Sequence, residues 1–374
     1  MRGADRRART RFTSGLLPAT LIAVALLGAG CRDPGQQEER DRGREHASVI
    51  REERVGTRLV DLVIRSSALG TTAMVRLLTP DGWVDGRSPR RWPVLFLLHG
   101  CCDSYESWTR STDIEQLPQL RDVLVVMPEA GAVGFYSNWQ GTGRDDDPRW
   151  ETFHLQEVRQ ILEQAYDAGR DRAIAGPSMG GLGAMGYTAR HPELFRAAAS
   201  FSGLLHPLAD ADFLLGLFSG HTPDPMAIWG DPVDDRAVWT RHDPTELATR
   251  LRGKALFVSA GNGRAGPLDS TARPADRIEP VVLNESRAFA ARLRELGIPV
   301  TTDFYGAGTH DWPYWERELE RAVPFLLGPT AATHTTGMDG PCCTRSNAGS
   351  SRPSRSPRGG RNGLQVPSGM AGLR

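Results

Sequence analysis

From residue 57 to residue 327 the chain switches repeatedly between two hydrophobic rhythms. Residues 59–65 and 73–79 alternate apolar and polar side chains, the pattern of half-buried antiparallel strands. Residues 94–98 and 123–127 are unbroken apolar runs, which predict central strands covered on both faces. Residues 153–168 place Leu155, Val158, Ile161, Leu162 and Ala165 at helical spacing. A short strand over 172–175 and a helix of small residues over 182–190 follow. Strands over 197–201, 255–259 and 300–305, with helices over 281–296 and 313–327, complete the series. Strand alternating with helix predicts an α/β fold, a mostly parallel sheet with helices on both faces.

The two ends break this rhythm. Arg2, Arg6, Arg7, Arg9 and Arg11 precede an apolar run from 16 to 30, the organisation of an export signal over residues 1–30. The run ends Leu26-Leu27-Gly28-Ala29-Gly30-Cys31, which resembles a bacterial lipoprotein signal, although Gly28 stands where a large aliphatic residue is usual. The resemblance implies lipidation at Cys31 and attachment to the outer face of the cell membrane. A cleaved signal and a secreted product is the alternative. Residues 31–56 are charged and lack periodicity, so a flexible linker is expected there. Residues 329–374 are rich in Gly, Ser, Pro, Thr and Arg, and a disordered tail is expected. Cys342 and Cys343 lie in that tail and match no zinc spacing.

Composition matters mainly through its distribution. The formal net charge is zero. The leader to Gly30 carries five Arg and one Asp, and the tail from Pro329 six Arg and one Asp, so the remainder stands at -9. An acidic central domain is a poor partner for nucleic acid. Five Cys in 374 residues exclude a disulfide-stapled scaffold.

Candidate chemistry begins at Gly176-Pro177-Ser178-Met179-Gly180, a G-x-S-x-G pattern between a predicted strand and a predicted helix. A serine hydroxyl attacks esters only when held exposed beside a base. The flanking glycines permit the close approach that such a turn needs. With the nucleophile at Ser178, the order nucleophile, acid, histidine places the base downstream. His310, in a loop between the last strand and last helix, is the expected base. Asp269, Asp276, Glu279 and Glu285 all remain open as the acid that orients it.

Several stretches together resemble the antigen-85 mycolyltransferases and the wider esterase D-like branch of the α/β-hydrolases. They are Trp150-Glu151-Thr152-Phe153, the six residues from Gly176, Ser202-Gly203-Leu204-Leu205, Trp229-Gly230, and Trp239 with Arg241 and Asp243-Pro244. Gly261-Asn262-Gly263 and the seven residues from Thr309 to Trp315 continue the match, which runs from about 93 to 327. The resemblance implies an α/β-hydrolase domain over 57–328. It also implies Glu279 as the acid, ten residues before Phe289, with Glu285 and Asp276 in reserve. The oxyanion hole it implies uses the amides of Cys101 and Met179, with the Cys101 side chain incidental. A disulfide between Cys101 and Cys102 is not expected.

Where that family carries an Asp and an Arg that help place a sugar acceptor, this chain has His99 and Cys102. Leu204, Leu205, Phe213, Leu214, Leu217 and Phe218 fit either an acyl pocket or a helix packed on the core. The expected substrate-binding set is His99, Trp108, Leu204, Leu205, Phe213 and Trp312. The function expected is an exported serine ester hydrolase working through an acyl-enzyme. Acyl transfer to diacylglycerol or trehalose is the alternative, and a non-catalytic glycan- or lipid-binding relative is the reading from another class. The substrate is an acyl ester, and no metal or other cofactor is expected.

Overall fold

A computed structural model of the chain describes residues 47–84, 90–141, 147–270 and 272–328. The leader, Cys31 and the C-terminal tail with Cys342 and Cys343 lie outside the described residues. Nine strands form one sheet in the order β1-β2-β3-β5-β4-β6-β7-β8-β9. The strands are β1 (Ser48–Arg54), β2 (Leu59–Ser66), β3 (Thr71–Leu78), β4 (Trp92–Leu97), β5 (Leu124–Pro128), β6 (Ala168–Pro177), β7 (Ala197–Phe201), β8 (Ala255–Gly261) and β9 (Thr301–Gly306). The first three pair antiparallel, and β3 meets β5 antiparallel. From β5 to β9 every pairing is parallel.

The unbroken apolar runs have a direct structural reading. Successive side chains of a strand point to opposite faces. Val94, Phe96 and Val126 therefore enter one core cluster, while Leu95, Leu97, Val125 and Met127 enter the other. The first cluster takes in the buried faces of α3 (Met179–Arg190) and α7 (Glu279–Glu295). The second includes Trp315, Leu319, Ala322 and Val323 of α8 (Trp312–Leu327) and Trp108 of the short α1 (Ser107–Ser111). Between them in sequence come α2 (Arg159–Ala165), α4 (Ala211–Ser219), α5 (Met226–Trp229) and α6 (Arg236–His242).

Two expectations need correction. Residues 48–54, placed in the flexible linker, form β1, so the folded part includes residues upstream of 57. This edge strand is almost wholly exposed and pairs through its backbone with β2, so it needs no apolar alternation. Its charged side chains suit an edge that must not pair with other chains. The helix expected over 153–168 starts at Trp150, widens to a π-helical turn over Phe153–Val158 and ends at Ala165. That turn carries the buried His154, whose ring nitrogens contact Tyr187 Oη at 2.9 Å and the Glu129 carbonyl at 2.8 Å. Such wide turns commonly accommodate a side chain the α-helix would misplace.

The topology gathers the candidate residues at one place. The carboxyl ends of β4, β6, β7, β8 and β9 lie along one edge, where open α/β sheets bind ligands. They lead into Gly100, Ser178, Ser202, Asn262 and the loop to His310.

Candidate active site

Ser178 sits between β6 and α3 with φ 52° and ψ −120°, a conformation that costs a non-glycine residue about 1–3 kcal/mol. Its amide donates to the Phe201 carbonyl at 2.9 Å, holding the turn against β7. Glycine is needed on both sides for steric reasons. A Cβ at Gly176 would stand 2.7 Å from the Gly180 carbonyl carbon, and one at Gly180 would stand 2.7 Å from the His99 carbonyl oxygen. The turn therefore presses α3 onto the end of β4, and Ser178 is the residue left facing outward.

His310 follows β9, and its Nδ1 is 2.8 Å from Glu279 Oε2. Glu279 opens α7 and is fully buried. Its other oxygen accepts from the Ser202 hydroxyl at 2.8 Å and from the Gly261 amide at 2.6 Å. Ser202 Oγ in turn accepts from Trp315 Nε1 at 3.2 Å, and the Trp315 ring meets the His310 ring edge-on at 5.0 Å. Three charge-assisted hydrogen bonds thus hold the carboxylate where no water reaches it.

The other acids have different employment. Asp276 accepts from the His310 backbone amide at 3.2 Å and from the amides of Ile278 and Glu279 at 2.7 and 2.9 Å, which supports the start of α7. Asp269 accepts from Thr309 Oγ1 at 2.6 Å and Tyr314 Oη at 2.7 Å, pinning the histidine loop. Glu285 lies two turns along α7 and accepts from the His206 amide at 2.8 Å. Among the four, Glu279 is the one that bonds the His310 ring.

Ser178 and His310 face one cavity of about 280 Å³. No hydrogen bond joins them in this conformation, a looseness common in unliganded sites. Gly100, Cys101 and Cys102 form one wall. Among the described residues, no acceptor engages the amides of Cys101 or Met179, and Met179 is the first residue of α3. Two free N–H groups beside a serine that lines the cavity are what a tetrahedral oxyanion requires. Leu204, Phe213, Leu217, Ile278, Trp312 and Trp315 supply apolar walls, and Asp103 and Asp311 the polar margin.

The expected substrate-binding set divides. Leu204, Phe213 and Trp312 line the cavity, whereas His99, Trp108 and Leu205 do not. His99 is buried beneath it. The Ala130 amide donates to His99 Nε2 at 2.9 Å, so Nδ1 carries the proton and donates to the Gly100 carbonyl at 2.7 Å. Trp108 is fully buried and donates from Nε1 to the Leu98 carbonyl at 2.9 Å. Leu205 is core, its carbonyl taken by Thr245 at 2.7 Å. His99 and Trp108 shape the oxyanion loop from behind. Leu214 and Phe218 are also buried in the core, so α4 is both covering helix and cavity wall.

Ile278, Trp315 and Leu217 complete the apolar lining. Ile278 carried no sequence signal of its own beyond being next to Glu279, and Trp315 stood only in the stretch from Thr309 that carries the family resemblance, with no role assigned to it. The disulfide that was not expected is present: Cys101 and Cys102 are bonded to each other. The reason is proximity, since adjacent residues in a turn with Cys102 at φ 65° bring the two sulfurs together.

Comparison with known proteins agrees with this geometry. The Esterase family model matches residues 66–326. The chain is 31% identical over 246 residues to the diacylglycerol acyltransferase/mycolyltransferase Ag85B of Mycolicibacterium smegmatis, an alignment spanning 62% of this chain and 76% of that protein. Among solved structures, Mycobacterium tuberculosis MPT51 superposes with a TM-score of 0.58 at 24% identity, over 71% of this chain and 97% of that one. An S-formylglutathione hydrolase from Agrobacterium tumefaciens gives 0.58 at 17% identity, over 75% and 98%. Both likenesses establish the α/β-hydrolase fold. The chain therefore belongs to the Esterase family, with antigen-85 mycolyltransferases among its relatives, and its chemistry is ester hydrolysis or acyl transfer.

Proposed function

We propose that the protein hydrolyses carboxylic esters through an acyl-enzyme on Ser178. His310 takes the Ser178 proton as the hydroxyl attacks the carbonyl, then returns it to the leaving alcohol. Glu279 accepts the Nδ1 proton's hydrogen bond, which leaves Nε2 free to act as base and stabilises the imidazolium. The amides of Cys101 and Met179 receive the oxyanion. Leu204, Phe213 and Trp312 hold the acyl group. The observation that carries this reading is the buried Glu279–His310 pair opening onto the same cavity as Ser178. Purified protein with a short-chain chromogenic ester tests it: Ser178→Ala is expected to abolish turnover. Equal rates for the variant and wild type would show that another nucleophile acts.

Acyl transfer is the second reading, favoured by a mycolyltransferase relative and an apolar cavity. The positions that place a sugar acceptor in that family carry His99 and Cys102 here, and His99 is buried and fully bonded. Water is therefore the acceptor we favour. Product analysis from a labelled acyl donor, with and without diacylglycerol or trehalose, separates the two. We further propose export of the chain, with Cys31 lipidated. The mass of the mature N-terminus, isolated from membranes, tests both: an unmodified first residue excludes the anchor.

A further inference from the structure

The oxyanion loop carries chemistry that ester hydrolysis does not use. Cys101 and Cys102 are adjacent, and Cys102 Sγ lies 3.0 Å from His221 Nε2. The three donor atoms all fall within 4.8 Å of one another. Cys102 and His221 are exposed, and Cys101 is partly so. His221 follows α4, the helix that supplies Phe213 and Leu217 to the cavity, and the two cysteines line the same cavity. The three groups therefore meet beside the cavity, with both cysteines in its lining.

We propose that, once the Cys101–Cys102 bond is reduced, these residues form a site for a soft divalent cation such as Zn2+, and that the bound ion shuts off the enzyme. Two thiolates and an imidazole are a familiar zinc ligand set. At Zn–S near 2.3 Å and Zn–N near 2.0 Å, tetrahedral ligands lie roughly 3.5 Å apart, within the spread seen here. The fourth position is left for water. Oxidised, the pair has no thiolate to offer, so the disulfide masks the site. Unmasking needs a dithiol reductant. It delivers two electrons and two protons to the sulfur–sulfur bond and is itself left as a disulfide. Zn2+ then replaces the two thiol protons, forming two Zn–S bonds and one Zn–N bond and releasing both protons to solvent.

The inhibition is a matter of placement. The ion would tie the oxyanion loop, which lines the cavity that holds Ser178, to the segment after α4, the helix whose Phe213 and Leu217 line it too. Metal uptake is independent of the role assigned to Ser178, whereas the inhibition rests on it, and the two are read separately. Reduced and oxidised protein are equilibrated with Co2+ and Zn2+. Thiolate-to-cobalt absorption and zinc retained after dialysis report binding, and ester hydrolysis reports function.

The reduced wild type is expected to take up a single equivalent and lose activity in step, while the oxidised form does neither. Losing a direct ligand should cost at least the ~10–100-fold typical of an outer-shell partner, so His221→Ala should need that much more Zn2+ for half-inhibition at unchanged basal rate. Cys102→Ser should lose the cobalt absorption with similar severity. Equal uptake by oxidised and reduced protein, or equal sensitivity of His221→Ala and wild type, overturns the site. Uptake at full activity overturns the inhibition. Should wild type show no hydrolysis at all, the catalytic reading fails while the cobalt spectrum still decides the site.

Discussion

Glu279 and Glu285 stand on one helix, six residues apart, both almost wholly buried, and yet they are opposite in character. Glu279 has each oxygen occupied: His310 on one, Ser202 and Gly261 on the other. Glu285 has one oxygen bonded to the His206 amide and the other without a partner. Burial then pushes its carboxyl up to about 8, so at neutral pH it is mostly protonated. Burial alone does not make a carboxylate useful. Donors aimed at both oxygens leave Glu279 fully hydrogen-bonded in a dry site, and their absence leaves Glu285 a neutral, structural group.

The largest effect should come from the member that bonds His310. Glu279→Gln keeps the shape but favours the wrong histidine tautomer, and kcat should fall by about 10³–10⁴-fold in steady-state ester assays. A variant within a few-fold of wild type would show that the pair is structural. Next, Ser202→Ala removes one donor to Glu279 and the acceptor of Trp315 Nε1. It should lower kcat about tenfold, the worth of one charge-assisted bond, with KM little changed.

Glu285→Gln should leave kcat within about twofold while altering how stability depends on pH. The sign is set by linkage. The folded-state pKa, about 8, exceeds the ordinary value of 4.5, so between them the native state keeps a proton that the unfolded chain releases. Stability contributed by the neutral group is therefore complete at the acid end and falls as pH rises toward 8. Unfolding free energies from urea titrations across that interval should decline in wild type, by about a few kcal/mol at most, and decline less in the variant. Parallel curves would mean that Glu285 is ionised throughout.

The smallest effect is expected next door. His206 Nδ1 lies 2.8 Å from Asp243 Oδ2, and the hydrogen bond to Asp243 raises the imidazole's affinity for protons. A raised histidine stabilises most below its unfolded pKa and loses that contribution as pH climbs through its folded value. His206→Asn should flatten the stability curve from about pH 6.5 upward, by less than Glu285→Gln does. The same urea series reads it, and an unchanged slope would mean that His206 contributes nothing to it.

How much of the site is legible in the sequence varies by residue. The nucleophile and base are legible because a strained turn and a strand-end loop leave local marks: glycines around Ser178, and a histidine after the last strand. The acid is not legible from the residues alone. Asp269, Asp276, Glu279 and Glu285 are equivalent as letters, and only the resemblance singles out Glu279. His99, Trp108 and Leu205 were expected at the substrate and lie behind it, since an apolar or aromatic letter does not say which side of a wall it is on. Residues 48–54 look like linker because an exposed edge strand is held by backbone bonds to β2, which side-chain periodicity does not record.

Hydrophobic rhythm is a local property, with a period set by backbone geometry, and it was sufficient for β2 to β9, the long helices and the parallel sheet, though not for the exposed β1 or the short helices. Zero net charge, too, resolved from the letters into a basic leader, a basic tail and an acidic middle. Which carboxylate is paired, which aromatic faces the cavity, and that Cys101 and Cys102 meet His221 depend on chain segments tens to more than a hundred residues apart. Those contacts exist only after β4 through β9 bring their ends together, so only the folded chain could decide them.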